Sequence, residues 1–454
     1  MRIAIIGLGT IGKTVLKALS AEDGEHTITI IDEDKEKVES LIEKYDVYGV
    51  VGNGACMDIQ KEAKVRSADI VIALTESDET NIFACLVAKK LGVENTVARV
   101  RNPAYRQQIV DMKDELGISM IVNPERDTAR EVFNIIDLPS ITQIDHFAKG
   151  RVILVELVVD KECSLIGETL ISMGRRLATK ALVCAVQRGE EVIIPSGHFM
   201  YMEGDKVHFT ADASSLGAFL SEINLVKSPL KNIMIVGGGR VGYYLAEELS
   251  KKRRYKVKLI ESDRIAAEDL ADKLPKVTVV CGNGTRHDLL LEEGIEAMDA
   301  FVALTDIDEE NMIVSLFANK MKVRKTIAQI KSNDLYEIMN ELGIENSVSP
   351  KDIVATRIIS YIRAIANKRG SNVLTLYRIV NGRAEALEFA AKKKARYYDK
   401  PLKELKIKDN CLVAAIIRGD EVIIPDGNSV ITLGDNVIVV TTHKNFDDLN
   451  DIIE

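Results

Sequence analysis

The chain has 454 residues, 46% of them apolar, and a formal net charge of −9. Length alone predicts about three domains, and the apolar share supplies several cores. Lysine and arginine are scattered rather than clustered, which argues against a nucleic-acid-binding surface, and no apolar run approaches the roughly 18 residues of a membrane span. The apolar start, Met1 to Gly7, is too short for a signal peptide and runs straight into a glycine turn, so it reads as a first strand of a cytoplasmic protein. The cysteines (Cys56, Cys85, Cys163, Cys184, Cys281, Cys411) form no CxxC pair and have no histidine pair at ligand spacing, so no metal site is expected.

Residues 2–6 read as a buried parallel strand, followed by the glycine turn and a helix with Val15, Leu16 and Leu19 on its apolar face. Strands at Thr27–Ile31, Val47–Val51, Asp69–Leu74, Thr96–Val100 and Met120–Val122 alternate with helices at Lys35–Tyr45, Asp58–Lys64, Glu79–Leu91 and Ala104–Leu116. That alternation predicts a doubly wound parallel sheet. A helix at Thr128–Leu138 follows, then a polar linker to Gly150. From Arg151 the pattern turns to short strands (Val152–Val159, Leu182–Gln187, Val192–Ile194, Lys206–Thr210), which predicts a small α+β domain. Ser228-Pro229 marks a joint. The same sequence of elements then returns, with a sheet from Asn232, a connecting helix at Asp352–Ala366 and a small domain from Ser371.

The return is a true duplication. Gly7-Leu8-Gly9-Thr10-Ile11-Gly12 aligns with Gly237-Gly238-Gly239-Arg240-Val241-Gly242, and Gly52-Asn53-Gly54 with Gly282-Asn283-Gly284. Ala73-Leu74-Thr75 with Asp78, Glu79 and Asn81 reappears as Ala303-Leu304-Thr305 with Asp308, Glu309 and Asn311. The stretch from Arg188 to Gly197 reappears from Arg418 to Gly427. One constant offset of about 230 residues relates all four pairs, so a two-part unit is repeated as a tandem array rather than a solenoid. The predicted boundaries are 1–125 for the first sheet domain, 126–148 for a connecting helix and linker, and 149–228 for the first small domain. The second copy follows as 230–350, 351–369 and 370–454.

A lone GxGxxG is a weak signal, but here each copy follows a predicted strand, opens a predicted helix and precedes an acidic strand end. The glycines make a tight turn, admit a pyrophosphate to the backbone and let helix pack on strand. The helix N-terminus then offers unpaired N–H groups to phosphate. Asp32 and Glu261 are placed to accept ribose hydroxyls and to repel a 2′-phosphate, which favours NAD or a plain adenosine nucleotide over NADP. Gly52, Asn53, Gly282 and Asn283 lie at the carboxyl edge of the third strand, and Thr75, Glu76 and Thr305 follow the fourth. Arg99 and Arg101 follow the fifth. Alternation of side chains favours Arg99 as the one that meets phosphate. The second copy has Gln329 and Lys331 at those positions and Arg240 in place of Thr10, so the two sites are expected to differ in preference, the second drawing on Arg240.

Together the glycine motif, the acidic strand end, the Gly-Asn-Gly turn, Ala-Leu-Thr-x-x-Asp-Glu-x-Asn, Ala-Arg-Val-Arg and the Val-Ile-Ile-Pro of the small domain resemble the RCK (KTN) family, the regulators of potassium conductance. Two complete modules in one chain are similar to the regulatory subunits of Trk potassium uptake, and the resemblance covers essentially the whole chain. It implies two Rossmann-like domains, each followed by a small RCK C-terminal domain. It also implies NAD(H) in the first module, NAD(H) or ATP/ADP in the second, a homotetrameric ring, and docking beneath a membrane-embedded potassium-translocating subunit at the cytoplasmic face. Gln329 departs from the family pattern and weakens the expected phosphate coordination there. The connecting helices are candidate hinges and subunit contacts, while Val132, Ile135 and Ile136 suit an intramolecular core equally well.

Two other readings compete. An NAD-dependent dehydrogenase needs an acid/base group near the nicotinamide and a substrate domain, yet no histidine is shared between the copies and only His287 falls near a predicted site, with Met57 in its place in the first copy. No catalytic residue is therefore expected. A nucleotide-sensing regulator of another transporter would have the same sequence features.

Overall fold

The computed structural model describes residues 1–453 except 22–25, 103–104, 106–107, 110, 114, 138–140, 148–150, 162, 213–214, 225–229, 333, 336–337, 340–341, 343, 345, 369–372, 381–382, 392–396, 444–445 and 447. The predicted helix Ala104–Leu116 lies partly, and the joint Ser228-Pro229 wholly, outside the described residues. The chain divides into two compact units, Met1–Asp137 with Leu230–Ile359, and Leu138–Pro229 with Ser360–Glu454.

The first unit holds both Rossmann-like domains. The first runs β1 (Arg2–Ile6), α1 (Thr10–Ser20), β2 (Thr27–Asp32), α2 (Lys35–Lys44), β3 (Tyr48–Val51), α3 (Met57–Glu62), β4 (Ile70–Ala73), α4 (Asp78–Lys90), β5 (Asn95–Arg99), β6 (Met120–Val122) and α5 (Pro124–Asp137). Its six strands are parallel in the order β3-β2-β1-β4-β5-β6. Strands covered on both faces need continuous apolar runs, and Ile3 to Ile6 and Ile70 to Ala73 are fully buried. The order reverses between β1 and β4, which opens a crevice at the carboxyl ends of those strands, where open α/β sheets bind ligands.

Pro124 begins α5 four residues before the predicted start. Proline suits the first helical turn, where its missing N–H has no helical partner to lose. The helix lays Ala129, Val132 and Ile136 into the core of the second Rossmann-like domain, against Leu245 and Leu249, with Ile135 partly buried. Full burial of a valine or isoleucine contributes about 1.5–3 kcal/mol, so the two domains are held largely by this seam. Asp137 closes it, accepting hydrogen bonds from Lys252 Nζ and Tyr255 Oη at 2.7 Å each and pairing with Arg254.

In the small domains, β7 (Ile141–Phe147), β8 (Val152–Val158), α6 (Leu170–Arg176), β9 (Ala181–Arg188), β10 (Glu191–Ile193), β11 (Lys206–Asp212) and α7 (Leu216–Glu222) make the first, an antiparallel sheet ordered β10-β9-β11-β8-β7. The stretch read as a polar linker thus carries a strand. A register shift between Ile141 and Gln143 breaks the two-residue alternation that would have revealed it.

The second Rossmann-like domain repeats the first. Its elements are β12 (Asn232–Val236), α8 (Arg240–Lys251), β13 (Lys256–Glu261), α9 (Arg264–Lys273), β14 (Thr278–Cys281), α10 (His287–Glu292), β15 (Ala300–Ala303), α11 (Asp308–Lys320), β16 (Lys325–Gln329), β17 (Asn346–Val348) and α12 (Pro350–Lys368). Their sheet order is β14-β13-β12-β15-β16-β17. The last small domain has β18 (Val373–Ile379), β19 (Ala384–Ala390), β20 (Cys411–Arg418), β21 (Glu421–Ile423) and β22 (Asn436–Thr441) in the order β18-β19-β22-β20-β21. The two small domains share a core in which Leu154, Cys184 and Ala185 meet Ala386, Ala414 and Ile438. Thr210 Oγ1 donates across it to the Ala414 carbonyl at 2.8 Å. Each small domain is also pinned by a repeated pair, Arg188 with Asp205 and Arg418 with Asp435, each making two guanidinium–carboxylate hydrogen bonds.

Candidate functional site

The turn after β1 puts Gly7 at φ +91°, where a Cβ would stand 2.6 Å from the Thr75 nitrogen; only glycine fits. Gly12 lies so close beneath that a Cβ there would be 2.0 Å from the Gly7 carbonyl oxygen, which fixes α1 against the turn. Gly9, the residue capping α1, has open space above it and no side chain to occupy the helix N-terminus. The second copy repeats the geometry: Gly237 has φ +104°, a Cβ on Gly242 would lie 2.1 Å from the Gly237 oxygen, and Gly239 is open.

Asp32 closes the first turn. Its Oδ2 accepts from the Leu8 N–H at 2.6 Å and its Oδ1 from the Asp34 N–H at 3.0 Å. Glu261 does the same with Gly238 and Asp263, at 2.8 Å each. Each carboxylate oxygen makes one backbone hydrogen bond and keeps acceptor capacity for a further donor such as a ribose hydroxyl.

These features open on a cavity of about 460 Å³. Gly7, Gly9, Thr10, Ile11, Asp32, Gly52, Asn53, Thr75, Glu76 and Arg99 line it, with Glu33, Lys37, Ser77, Thr80 and Arg101. Leu8 and Gly12 are not among the lining residues; Leu8 is buried and serves through its N–H to Asp32. Strand alternation favours Arg99 alone, yet Arg101 also lines the cavity beside it. It lies past the end of β5, where strand alternation no longer dictates direction. Arg99 Nη1 donates to the Thr75 carbonyl at 3.3 Å and Arg101 Nη2 to the Glu76 carbonyl at 2.6 Å. The Nε of each is buried without a hydrogen-bond partner. Burial, then the neighbouring Arg101 charge, lowers the Arg99 guanidinium below its usual range. Two guanidinium groups on the cavity wall, with the open helix N-terminus at Gly9, suit the phosphates of a dinucleotide, so the residues present fit such a cofactor.

Lys37 carries no sequence motif and was missed. Asp34 caps α2 by accepting from the Lys37 N–H, and this places Lys37 on the cavity rim. The repeated Asp-Glu-x-Asn is a brace rather than a ligand. Asp78 accepts the N–H groups of Arg101 and Asn102, while Asn81 bonds Thr75 through N, O and Oγ1 and reaches the Arg99 carbonyl at 3.0 Å. Asp308 and Asn311 repeat this with Lys331, Ser332, Thr305 and Gln329.

The second site differs as its sequence does. Gln329 is buried with its Oε1 unpartnered, and Lys331 pairs with Asp306. Arg240 is half exposed and stands 3.9 Å from Glu125 of the first domain, which also lies 4.0 Å from Arg101. One carboxylate thus lies between an arginine of the first cavity and an arginine of the second glycine turn. His287 stacks on Phe317 with ring centroids 4.0 Å apart, a packing role. Among the described residues, no cluster of three or more His, Cys, Asp or Glu could hold a metal ion, and no helix is long and apolar enough to cross a membrane.

Two glycine turns of the same geometry on tandem Rossmann-like modules, each module followed by a small antiparallel domain, define a duplicated RCK-type architecture. Family models agree: the TrkA-N domain matches residues 3–124 and 233–350, and the TrkA-C domain residues 154–224 and 386–454. The chain belongs to the TrkA family. It is 32% identical over 446 residues to the Trk system potassium uptake protein TrkA homolog 1 of Methanosarcina mazei, covering 97% of both chains. To the Trk system potassium uptake protein TrkA of Vibrio alginolyticus it is 29% identical over 453 residues, covering 98% of this chain and 97% of the relative. In fold it is similar to the GsuK channel bound to NAD, with a TM-score of 0.65 and 19% identity, over 97% of this chain and 76% of that one. The crystal structure of the GsuK RCK domain gives 0.63 at 19% identity, over 97% and 92%.

Proposed function

We propose that the protein is the cytoplasmic regulatory subunit of a Trk-type potassium uptake system, converting the occupancy of two nucleotide sites into a change in potassium transport. One observation carries the reading. The same open glycine cradle, closed by a carboxylate that bridges two backbone N–H groups, occurs twice in one chain with different cationic surroundings. The family membership and the names of the relatives support the potassium system. The module boundaries proposed are 1–125 with 149–228 and 230–350 with 370–454, joined by 126–148 and 351–369.

In this reading NAD(H) occupies the first crevice. Gly7, Gly9 and Thr10 receive the pyrophosphate, Asp32 holds the ribose, Gly52 and Asn53 flank the adenine, and Arg99 with Arg101 neutralises phosphate charge. NAD(H) or ATP/ADP occupies the second, through Gly237 to Gly242, Glu261, Gly282, Asn283 and Thr305, with Arg240 in place of the missing arginine. The chain performs no chemistry on the nucleotide; it binds it unequally in two conformations. A nucleotide shifts such an equilibrium only by its difference in affinity, and moving a population from 1:99 to 99:1 takes about 5.5 kcal/mol. Several sites in a homotetrameric ring supply that from small increments, delivered to a membrane-embedded potassium-translocating subunit at the cytoplasmic face.

The test is a thermal-shift titration with NAD⁺, NADH, ATP, ADP and NADP⁺ on wild type, Asp32→Ala and Glu261→Ala, followed by potassium flux with the membrane subunit. Stabilisation by adenine nucleotides that each substitution weakens separately supports two sensor sites. No stabilisation by any nucleotide refutes them, and flux indifferent to nucleotide refutes the regulatory role.

A further inference from the structure

A second cavity, of about 650 Å³, lies within the first unit where the two Rossmann-like domains meet. It is larger than the glycine-turn crevice and within the range of about 300–1,000 Å³ typical of small-molecule sites. Its floor is the edge strand β6 and one face of α5; its far wall is α8, with Arg357 of α12. Both domains contribute, so anything bound there touches both.

The charges on its wall are not balanced by one another. Asp127 is taken by Arg357, whose Nη1 lies 2.6 Å from each carboxylate oxygen. Glu247 and Glu248 both face Lys251, at 3.5 and 3.0 Å. The remaining cations, Lys113, Arg126 and Arg130, make no ion pair among the described residues, although all three line the cavity. Arg126 and Arg130 are one helical turn apart on α5, so they present a double guanidinium on one face. Phe133 continues that face, and Tyr244 supplies a second aromatic ring from α8. Unpaired guanidinium groups with a flanking amide (Asn134) suit multidentate capture of phosphate oxygens.

We infer that this interdomain cavity is a third ligand site, for a phosphate-bearing small molecule held by Lys113, Arg126 and Arg130. It is separate from both glycine turns, and its occupant would tie α5 of one domain to α8 and α12 of the next. The inference does not rest on nucleotide binding at those turns.

The test uses full-length protein with NAD⁺ at saturating concentration, titrated with inorganic pyrophosphate by isothermal calorimetry. A saturable heat is expected from wild type. The double variant R126Q/R130Q should weaken it by about tenfold or more, since each arginine loses a charge-assisted hydrogen bond. Lys44→Gln with Lys61→Gln, the same change in charge on α2 and α3 beside β3, at the opposite edge of the sheet from β6, should leave it unchanged. The NAD⁺ affinity and melting temperature of R126Q/R130Q report whether that variant is folded. Should it not fold, Lys113→Gln, at an exposed position outside the helices, carries the test with a loss in the same direction. Absence of heat in the wild type overturns the inference. So does pyrophosphate binding that survives in folded R126Q/R130Q or in Lys113→Gln, or that falls equally in the Lys44→Gln/Lys61→Gln control. If NAD⁺ itself does not bind, the nucleotide reading fails and the pyrophosphate comparison stands unaffected.

Discussion

Alanine at Gly9 and at Gly12 should separate the two duties of the glycine turn. A Cβ on Gly12 would stand 2.0 Å from the Gly7 oxygen, so helix and turn must part by roughly 1.4 Å to reach ordinary contact at 3.4 Å, an overpacking strain of about 1–3 kcal/mol. Gly12→Ala should therefore lower stability and first-site affinity together. Gly9 has ordinary backbone angles (φ −70°) and nothing within 4 Å of the added carbon. Restricting the unfolded chain favours alanine by about 0.4–1 kcal/mol, and a poorer helix cap costs a similar amount, so Gly9→Ala should melt like wild type. Its methyl nevertheless projects into the cradle, and an affinity loss of about tenfold or more, 1.4 kcal/mol, is expected for NAD⁺. Chemical denaturation and calorimetry on the two variants read both quantities. A Gly9→Ala protein that binds NAD⁺ as wild type does would show that phosphate does not approach the open face of Gly9, and the cradle argument would fail.

Arg101→Ala should reduce first-site affinity by about tenfold and change the second site far less, only through the Glu125 it shares with Arg240, read by calorimetry on Glu261→Ala and Asp32→Ala backgrounds. Asp137→Ala should cost about 1–2 kcal/mol in urea unfolding, because the half-exposed Lys252 and Arg254 regain water while Tyr255 loses a part-buried hydrogen bond at the seam. Burial opposes ionisation of Asp137, but those partners hold its carboxyl below the usual range, so its contribution is present at neutral pH and disappears as pH falls through that lowered value. His208 is buried and pushed down to about 4 by desolvation, then by Lys206; the unfolded chain takes the proton first, so stability should fall between about pH 6.5 and 4 by at most ~3 kcal/mol. Glu156, 3.3 Å away and raised by burial, offsets part of this, and His208→Leu should flatten that segment of the stability–pH curve. Glu125→Gln should change how ligand at one glycine turn alters affinity at the other, by about 1 kcal/mol or less for a partly exposed pair; unchanged coupling would remove that carboxylate as a link.

Periodicity located the parallel strands and the glycine turns because those elements depend on local signals: apolar runs, a glycine with nowhere to place a Cβ, an acid at the next strand end. What it hid depends on the fold. β7 is an edge strand whose register shift destroys alternation. Lys37 faces the cavity only because Asp34 starts a helix there, and Arg101 only because the strand has already ended. The apolar positions of α5 were legible as a stripe, but which surface covers a stripe is a tertiary fact, here the second Rossmann-like domain. The duplication preserves Asp78 and Asn81 although neither lines the cavity. Their hydrogen bonds show that such preservation within one chain can equally reflect backbone bracing.

That distinction bears on why the two crevices differ. Between the copies, the groups that hold backbone are retained: Asp78 and Asp308, Asn81 and Asn311, Asp32 and Glu261, Arg188 and Arg418. Several groups that face the crevice change, Thr10 to Arg240, Arg99 to Gln329, Arg101 to Lys331 and Ser77 to Ile307, while Asn53 and Thr75 return as Asn283 and Thr305. Loss of a bracing group would leave buried N–H donors unpaired at about 1–3 kcal/mol each, whereas a crevice residue can vary at little cost to folding. A duplicated module can therefore diverge in ligand preference while its scaffold stays fixed. Two of the changed positions, Arg101 and Arg240, flank Glu125, so charge placed on either arginine by a ligand is felt at the same carboxylate. By linkage the effect must run both ways, so under the proposed function unequal sites in one chain would compare two nucleotides rather than count one.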